Sequence, residues 1–213
     1  MLKRDFEIKR TQENFSKVAW FYDLWGKLTE IKAINKAVSI SGMGDNIKVL
    51  DVGVGTGQLF KRILSENKHG LSFGVDLSSG MLAKAKNKFR SLKVNYLLSF
   101  GNAFELPYKS ESFDYLFSSY VLDLLPEENF NKILNEFYRV LKTNGTGIVI
   151  TMAIGNYWYN KLWYLAAKYF PSLLTNCRPI ELSAYLASTG FNIIEKANIS
   201  QNSFPSEIIK FKK

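Results

Sequence analysis

The chain is poor in the residue types that build disulfide, metal and redox sites. Its 213 residues include one cysteine, Cys177, and one histidine, His69. A lone cysteine excludes an internal disulfide framework and favours a reducing, cytoplasmic compartment. No set of cysteine, histidine and acidic residues has the spacing of a metal site, so we expect no metal cofactor.

Long hydrophobic runs are also missing. The longest, residues 147–155, is too short to cross a bilayer, and charged side chains interrupt residues 1–20. Apolar residues make up 46% and charged residues 22%, which is typical of a globular domain. We predict a single domain over residues 1–213, with an N-terminal helical segment at 1–45 and a helical cap inserted at 156–189.

Acidic residues are absent from two long stretches, although the net charge of the whole chain is only +9. Residues 77–104 contain five basic side chains and no acid, and residues 137–180 repeat this pattern. A solvated basic surface explains such stretches, and so does attraction to an anionic membrane, an acidic substrate or a nucleic acid. Nucleic acid is disfavoured because no recognisable DNA- or RNA-binding motif accompanies the charge.

Short apolar runs alternate with helical patterns along the chain. The predicted strands are 47–52, 71–76, 94–100, 115–119, 147–152, 191–199 and 204–211. The predicted helices are 57–66, 79–89, 129–141, 156–170 and 180–189, and residues 13–40 predict two more with a break near Gly26. This alternation predicts an α/β, Rossmann-like, doubly wound sheet of seven mostly parallel strands. Because no helix separates the last two strands, they should form a C-terminal antiparallel hairpin.

The strongest motif is VLDVGVGTG at residues 49–57, where a buried strand leads into three glycines and a helix. Glycine suits a turn that must adopt conformations closed to side chains and approach a ligand closely. The free N–H groups of the following helix could hold a carboxylate or a phosphate. Gln58 and Phe60 stand where a dinucleotide fingerprint would continue to its third glycine, which disfavours NAD and FAD.

Three further motifs follow in order. Asp76 ends the second predicted strand, 25 residues after Asp51, where an acid can accept hydrogen bonds from both hydroxyls of a ribose. The next motif is GNAFELPY at residues 101–108, and the last is LKTNGTG at residues 141–147. Together they resemble the class I S-adenosylmethionine-dependent methyltransferases, and within them the ubiquinone/menaquinone-biosynthesis C-methyltransferases. Soluble bacterial phosphatidylethanolamine N-methyltransferases share much of the pattern, and the predicted hairpin favours a methyltransferase over a dehydrogenase.

The resemblance implies a pocket for S-adenosylmethionine, with S-adenosylhomocysteine as the product. The residues expected to bind this cofactor are Tyr22, Asp51, Gly53, Gly55, Gly57, Asp76, Leu77, Met81, Asn102, Ala103 and Ser118. Asn102 departs from the family, which usually has aspartate there. An amide oxygen can still accept a hydrogen bond from the adenine amino group.

Three side chains are candidates for a catalytic base: Asp123, Tyr120 and Tyr22. For Asp123 the alternative is a structural hydrogen bond in a helix or a loop. Methyl transfer needs little more than positioning, because the sulfonium is already a good leaving group. Residues 118–126 lack the motifs of DNA amino methylation, cytosine C5 methylation and protein-arginine methylation, which weakens the macromolecular alternatives.

Aromatic residues are concentrated at 157–170, where they occupy seven of fourteen positions. Three alternatives remain open: packing against the N-terminal helices, an aromatic lid over an apolar acceptor, and a membrane contact supported by Lys161 and Lys168. The residues expected to bind the substrate are Trp25, Tyr120, Tyr159, Trp163 and Arg178.

These features predict a cytoplasmic methyltransferase, with or without peripheral membrane contact, that acts on a small lipophilic molecule such as a quinone precursor. The alternatives are a phospholipid head-group N-methyltransferase and a non-catalytic S-adenosylmethionine-binding protein. The motifs leave the oligomeric state open.

Overall fold

Seven strands form one mixed sheet in a computed structural model, which describes residue 24 and residues 26–155, 160–169 and 177–213. The strands are β1 (Lys48–Val52), β2 (Leu71–Asp76), β3 (Tyr96–Phe100), β4 (Phe113–Ser119), β5 (Leu141–Met152), β6 (Asn192–Gln201) and β7 (Phe204–Lys212). Their order across the sheet is β3-β2-β1-β4-β5-β7-β6, and β7 runs antiparallel to both neighbours. The predicted fold class is confirmed.

Helices cover both faces of this sheet. They are α1 (Ile31–Ser41), α2 (Gln58–Glu66), α3 (Ser79–Phe89), α4 (Phe130–Val140), α5 (Asn160–Tyr169) and α6 (Ser183–Thr189). α1, α2 and α3 share one core cluster with Val49 of β1, whereas α4 and α6 share the other with Leu50. Successive strand side chains point to opposite faces, so a strand covered on both sides has a continuous apolar sequence.

The C-terminal hairpin is closed by Asn202 and Ser203, whose φ angles are 48° and 66°. Two residues with positive φ match the two-residue type I′ turn, whose twist suits paired antiparallel strands. Across the sheet, β7 lies between β5 and β6, and β6 forms the edge opposite β3. The predicted hairpin is confirmed.

Several element boundaries differ from the predicted ones. α6 begins at Ser183 because Arg178 and Ile180 run past the ends of β4 and β5, where their N–H groups donate to the carbonyls of Asp123 and Met152. β5 begins at Leu141 instead of residue 147. Its pairing with β4 includes a register shift between Phe113 and Tyr115. Residues 26–29 are helical and a turn at Glu30 precedes α1, while most of the segment before Gly26 lies outside the described residues.

α1 packs directly on the sheet through Ala33, Ile34 and Ala37, all of which are buried in the main core. Lys32 N donates to the side-chain carbonyl of Gln201 at 2.7 Å, so α1 is also tied to the end of β6. The division into a domain, an N-terminal segment and a cap stays a prediction. Within the ranges that the structure covers, no helix is both long and apolar enough to cross a membrane.

Candidate functional site

A cleft of about 810 Å³ opens at the carboxyl ends of β1, β2 and β4. β2 and β4 lie on opposite sides of β1, so the chain changes direction across the sheet here, where open α/β sheets bind their ligands. The cleft is lined by Val52, Gly53, Gly55, Val75, Asp76, Leu77, Ser78, Met81, Gly101, Asn102, Ala103, Phe104, Ser119, Tyr120, Val121, Leu124, Leu125 and Ile133.

The glycine loop after β1 has positive φ at Gly53 (78°), Gly55 (54°) and Gly57 (83°). A Cβ atom at Gly53 would overlap the Val121 side chain, and one at Gly57 would overlap the Phe89 ring. At Gly55 the nearest atom to such a Cβ is the carbonyl oxygen of Gly53, at 3.9 Å. Gly53 and Gly57 are thus needed for packing, whereas Gly55 leaves open space in the cleft.

Asp76, at the end of β2, holds the loops on both sides of it. Its Oδ2 accepts a hydrogen bond from Gly55 N at 2.7 Å, and its Oδ1 accepts one from Ser78 N at 2.7 Å. Desolvation raises the pKa of this carboxyl group, and these backbone hydrogen bonds partly offset the rise. Because each carboxylate oxygen has a second lone pair, Asp76 can accept further bonds from a ligand in the cleft.

Asp51 lies in β1 and is only 1% exposed. Neither of its carboxylate oxygens accepts a hydrogen bond from any described residue. Burial, together with the nearby Asp76, raises the pKa of Asp51 well above its usual value. A buried carboxyl group without a partner is costly, and a cationic ligand group nearby would offset that cost.

Asn102 follows β3 and lines the cleft beside Leu77, Met81 and Ala103. Its side-chain oxygen accepts a hydrogen bond from Phe104 N at 3.0 Å. The same oxygen can accept one further bond, so its use in the turn is compatible with the predicted contact to adenine.

The end of β4 forms the wall opposite β2. Ser118 is buried and its hydroxyl donates to the carbonyl of Val52 at 3.0 Å, whereas its neighbour Ser119 lines the cleft. Tyr120 follows with φ of 53°, an unusual conformation for a bulky residue. Non-glycine residues in this region cluster at functional sites, where surrounding packing compensates the strain.

The family model described as a methyltransferase domain matches residues 49–145, which contain the glycine loop, Asp51, Asp76 and the end of β4. These residues are thus similar to a methyltransferase domain. A demethylmenaquinone methyltransferase from Oceanobacillus iheyensis is 37% identical over 132 residues, which cover 59% of this chain and 53% of the relative.

Two further proteins are similar to this chain, one in sequence and one in fold. A ubiquinone/menaquinone biosynthesis C-methyltransferase from Vibrio cholerae is 30% identical over 160 residues, covering 70% of this chain and 59% of the relative. An S-adenosylmethionine-dependent methyltransferase from Methanosarcina mazei has the same fold, with a TM-score of 0.70 and 19% identity, covering 83% of this chain and 96% of that one. The chain spans 53% of the length of the Oceanobacillus iheyensis relative and 59% of the length of the Vibrio cholerae relative. The resemblance to methyltransferases that the sequence motifs predicted is confirmed.

The cleft fits S-adenosylmethionine chemically. The methionine part of this cofactor carries an ammonium and a sulfonium, and Asp51 offers a buried carboxyl group that has no hydrogen-bond partner among the described residues. Asp76 would hold the ribose hydroxyls, and Asn102 and Ala103 would face the adenine. Gly57 and Ser118, also predicted to bind the cofactor, lie behind the cleft lining and support it. These contacts stay predictions.

Asp123 is fully buried and lies outside the cleft lining. Its Oδ2 accepts a hydrogen bond from Met152 N at 3.0 Å, and its backbone carbonyl accepts one from Arg178 N. Burial raises the pKa of Asp123 to about 7, although the Met152 bond and the charge of Arg178 act in the opposite direction. The described contacts of Asp123 join the ends of β4 and β5, and its role as a base stays a prediction.

Tyr120 lines the cleft, and its hydroxyl lies 2.7 Å from the Ser206 hydroxyl. Burial is the main reason that the pKa of Tyr120 lies well above its usual value, which makes a phenolate costly to form. Tyr22, the third candidate base, lies outside the described residues. Of the two described candidates, Tyr120 lines the cleft and Asp123 does not.

The predicted substrate-binding residues are dispersed. Tyr120 lines the cleft, while Trp25 and Tyr159 lie outside the described residues. Arg178 is buried behind the cleft wall, where its Nη2 donates to the carbonyl of Leu125 at 2.5 Å. Trp163 packs against Phe204, with ring centroids 5.3 Å apart, and its Nε1 donates to the Ser203 hydroxyl at 3.0 Å.

Several apolar lining residues were missed by the sequence interpretation: Phe104, Val121, Leu124, Leu125 and Ile133. All except Ile133 lie in segments directly after β3 or β4, so proximity to a strand end could have indicated them. Ile133 lies in α4 and has no local signal. No group of three or more histidine, cysteine or acidic residues capable of holding a metal exists in the part of the chain that the structure describes.

Proposed function

We propose that the protein transfers a methyl group from S-adenosylmethionine to a small lipophilic molecule, such as a quinone precursor, and releases S-adenosylhomocysteine. When bound, S-adenosylmethionine supplies a methyl group on a sulfonium that leaves as a neutral thioether. The acceptor supplies the electron pair of the new bond and loses a proton to water.

The observation that carries the proposal is the division of the cleft into two chemically different parts. One part contains Gly55, Asp76 and Asn102 and lies next to Asp51, which suits a polar and partly cationic cofactor. The other is formed by the apolar side chains Val121, Leu124, Leu125, Ile133 and Phe104. An apolar wall with few hydrogen-bonding groups favours a lipophilic acceptor over a charged or highly polar one.

Positioning supports the reaction better than acid–base chemistry does. Tyr120 directs its hydroxyl towards Ser206, and Asp123 is fully buried behind the lining. Holding two reactants in line can by itself contribute on the order of 7–11 kcal/mol to lowering a barrier. An electron-rich ring carbon, as in a reduced quinone, suits such a site because it reacts with a strong electrophile without a strong base.

The relatives support the same substrate class. The Oceanobacillus iheyensis relative is named a demethylmenaquinone methyltransferase, and the Vibrio cholerae relative is named a ubiquinone/menaquinone biosynthesis C-methyltransferase. We propose further that the parts of residues 1–45 and 156–189 outside α1, α5 and α6 cover the apolar part of the cleft. Tyr22, Trp25 and Tyr159 would then complete the acceptor site.

The test has two stages. Calorimetry with S-adenosylhomocysteine should show binding, and methyl-labelled S-adenosylmethionine should then transfer label to a reduced naphthoquinone with a prenyl chain. Parallel reactions contain phosphatidylethanolamine vesicles or no acceptor. Label in phosphatidylethanolamine would replace the quinone proposal by head-group N-methylation. Binding without transfer to either acceptor or to a total lipid extract would contradict the lipophilic acceptor, and failure to bind would refute the cofactor site.

A further inference from the structure

The edge strand β3 exposes apolar side chains and has no charge of its own. Leu97 is 51% exposed and Phe100 is 60% exposed, and Leu92, in the loop before the strand, is 41% exposed. Edge strands usually carry charged residues that prevent contacts with other chains. The opposite edge strand, β6, follows that rule, because Glu195 and Lys196 directly follow its exposed Ile194.

The apolar residues of β3 lie in the longest acid-free basic stretch near the cleft, residues 77–104. Lys86 in α3 and Arg90 and Lys93 in the following loop are exposed, and none of the three forms an ion pair with any described residue. We call these three cations together with Leu92, Leu97 and Phe100 the β3 edge surface. It combines exposed apolar groups with positive charge that forms no ion pair with a described acidic residue.

The β3 edge surface lies beside the mouth of the cleft. Phe100 directly precedes Gly101 and Asn102, both of which line the cleft, and α3 begins two residues after Leu77, which lines it too. Any partner seated on this surface would therefore lie next to the cleft.

We propose that the β3 edge surface docks the protein on an anionic lipid bilayer, with Lys86, Arg90 and Lys93 at the head groups and Leu92, Leu97 and Phe100 in the interface. Basic residues near an anionic membrane and apolar side chains at its boundary contribute to binding together. A second copy of the chain fits less well, because a symmetric contact would bring this acid-free basic surface against itself. A nucleic acid would use the cations but would leave the exposed leucines in water.

This inference rests on the proposed function for its purpose, since a lipophilic acceptor resides in a bilayer, but its test needs no turnover. The full chain is sedimented with vesicles of phosphatidylcholine containing about 30 mol% phosphatidylglycerol, and with phosphatidylcholine alone. Binding should occur with the anionic vesicles and weaken when salt rises from about 0.1 M to about 1 M, because screening shortens from about 10 Å to about 3 Å.

Two variants of the β3 edge surface test its two components. Lys86→Gln, Arg90→Gln and Lys93→Gln combined should lower the vesicle partition coefficient by about tenfold or more. Leu97→Ser with Phe100→Ser should weaken the binding that remains at high salt. The matched controls are a triple glutamine variant of the exposed Lys68, Lys196 and Lys212, and Ile194→Ser on the opposite edge. Both controls should bind like the wild type.

Three outcomes overturn the docking proposal. Wild-type protein that ignores anionic vesicles refutes it, as does an equal loss of binding in the control triple variant, which would indicate attraction by net charge alone. A dimer in sedimentation equilibrium that Leu97→Ser and Phe100→Ser dissociate would assign the surface to a second copy. Calorimetry with S-adenosylhomocysteine on the same samples separates these results from a failure of the cofactor site.

Discussion

At the scale of the single residue, Gly55 differs from Gly53 and Gly57 in the space that a side chain would meet, because only at Gly55 is that space open. Gly53 and Gly57 avoid overlap with Val121 and Phe89, so a side chain at either position would disturb packing before any ligand bound. Gly55 faces open space, and only its φ of 54° opposes a side chain. A substitution at Gly55 should therefore block ligand binding in the cleft with less damage to the fold than one at Gly53 or Gly57.

Gly55→Val should abolish S-adenosylhomocysteine binding measured by calorimetry, because the side chain would occupy the space that the cofactor needs. Backbone strain should lower the free energy of unfolding by about 1–3 kcal/mol, so a thermal melt must accompany the titration. Gly44→Val is the matched control, since nothing lies within 4 Å of a Cβ at Gly44. Normal binding by a folded Gly55→Val protein would remove this loop from the site.

Asp76 has two tasks that a single substitution would remove together: it accepts from Gly55 N and Ser78 N, and it faces the cleft. We expect Asp76→Ala to weaken S-adenosylhomocysteine binding by roughly 1.5–3 kcal/mol, the scale for hydrogen bonds to a charged group. The exposed Asp45→Ala is the control.

A ligand without the ribose 2′-hydroxyl separates the two tasks of Asp76. Wild-type protein should bind 2′-deoxy S-adenosylhomocysteine more weakly than the natural compound, whereas Asp76→Ala should not discriminate between them. Equal discrimination by both proteins would limit Asp76 to supporting the loops.

At the scale of elements, Asp123 connects three parts of the chain. It follows β4, accepts from the last residue of β5 and holds Arg178 of the segment before α6. Arg178 in turn donates to the carbonyl of Leu125, whose side chain lines the cleft. The Asp123 contacts thus support the apolar wall from behind.

Asp123→Asn should keep turnover within about tenfold of wild type, because an amide oxygen can still accept from Met152 N. Asp123→Ala should lower the free energy of unfolding by roughly 1–3 kcal/mol, since it leaves the buried N–H of Met152 without its acceptor. Denaturant unfolding and labelled-methyl turnover measure the two effects. A loss of roughly 10²–10⁴-fold in turnover for Asp123→Asn, with unchanged cofactor affinity, would instead support a catalytic base.

α5 meets the hairpin through Trp163, whose contacts to Phe204 and Ser203 place it among core residues. Trp163→Ala should therefore lower the free energy of unfolding by about 3–5 kcal/mol and leave the KM for the acceptor unchanged. Tyr169, which is 64% exposed, provides the control Tyr169→Ala. A higher KM without destabilisation would favour the aromatic lid.

At the scale of the whole molecule, buried acids collect at the carboxyl ends of the strands and the adjoining start of α1. Asp51 is the last residue but one of β1, and Asp123 follows β4. Glu30 precedes α1 and is 5% exposed. Burial, and secondarily the charge of Asp123, raises the pKa of Glu30 from 4.5 to about 8. Between these two values the native state keeps a proton that the unfolded chain releases, so stability should fall as pH rises.

Glu30→Gln tests this pH dependence, because glutamine has a similar shape and no proton to release. Wild-type stability should fall from about pH 5 to about pH 8 by up to about 1.4 kcal/mol per pH unit through this group. The slope should be smaller in Glu30→Gln and unchanged in the exposed Glu66→Gln. Urea unfolding at each pH provides the measurement, and equal slopes in all three proteins would contradict the assignment.

The sequence by itself determined the features that depend on neighbouring residues. The apolar run before Gly53, the glycine spacing to Gly57 and the acid at Asp76 predicted where the chain turns at the sheet edge. Strand alternation and the absence of a helix between β6 and β7 predicted the hairpin. These features are local because period, turn conformation and strand length depend on a few adjacent side chains.

Only the tertiary structure decided which side chains meet in the cleft. Ile133 reaches it because α4 turns that face towards the end of β4, and Asp123 lies behind the lining because its carboxylate accepts from Met152 N. Trp163 packs against Phe204, forty-one residues later. Such contacts join elements distant in sequence, and the packing of helices on the sheet determines them, so no local pattern of Ile133, Asp123 or Trp163 could distinguish a lining residue from one that supports it.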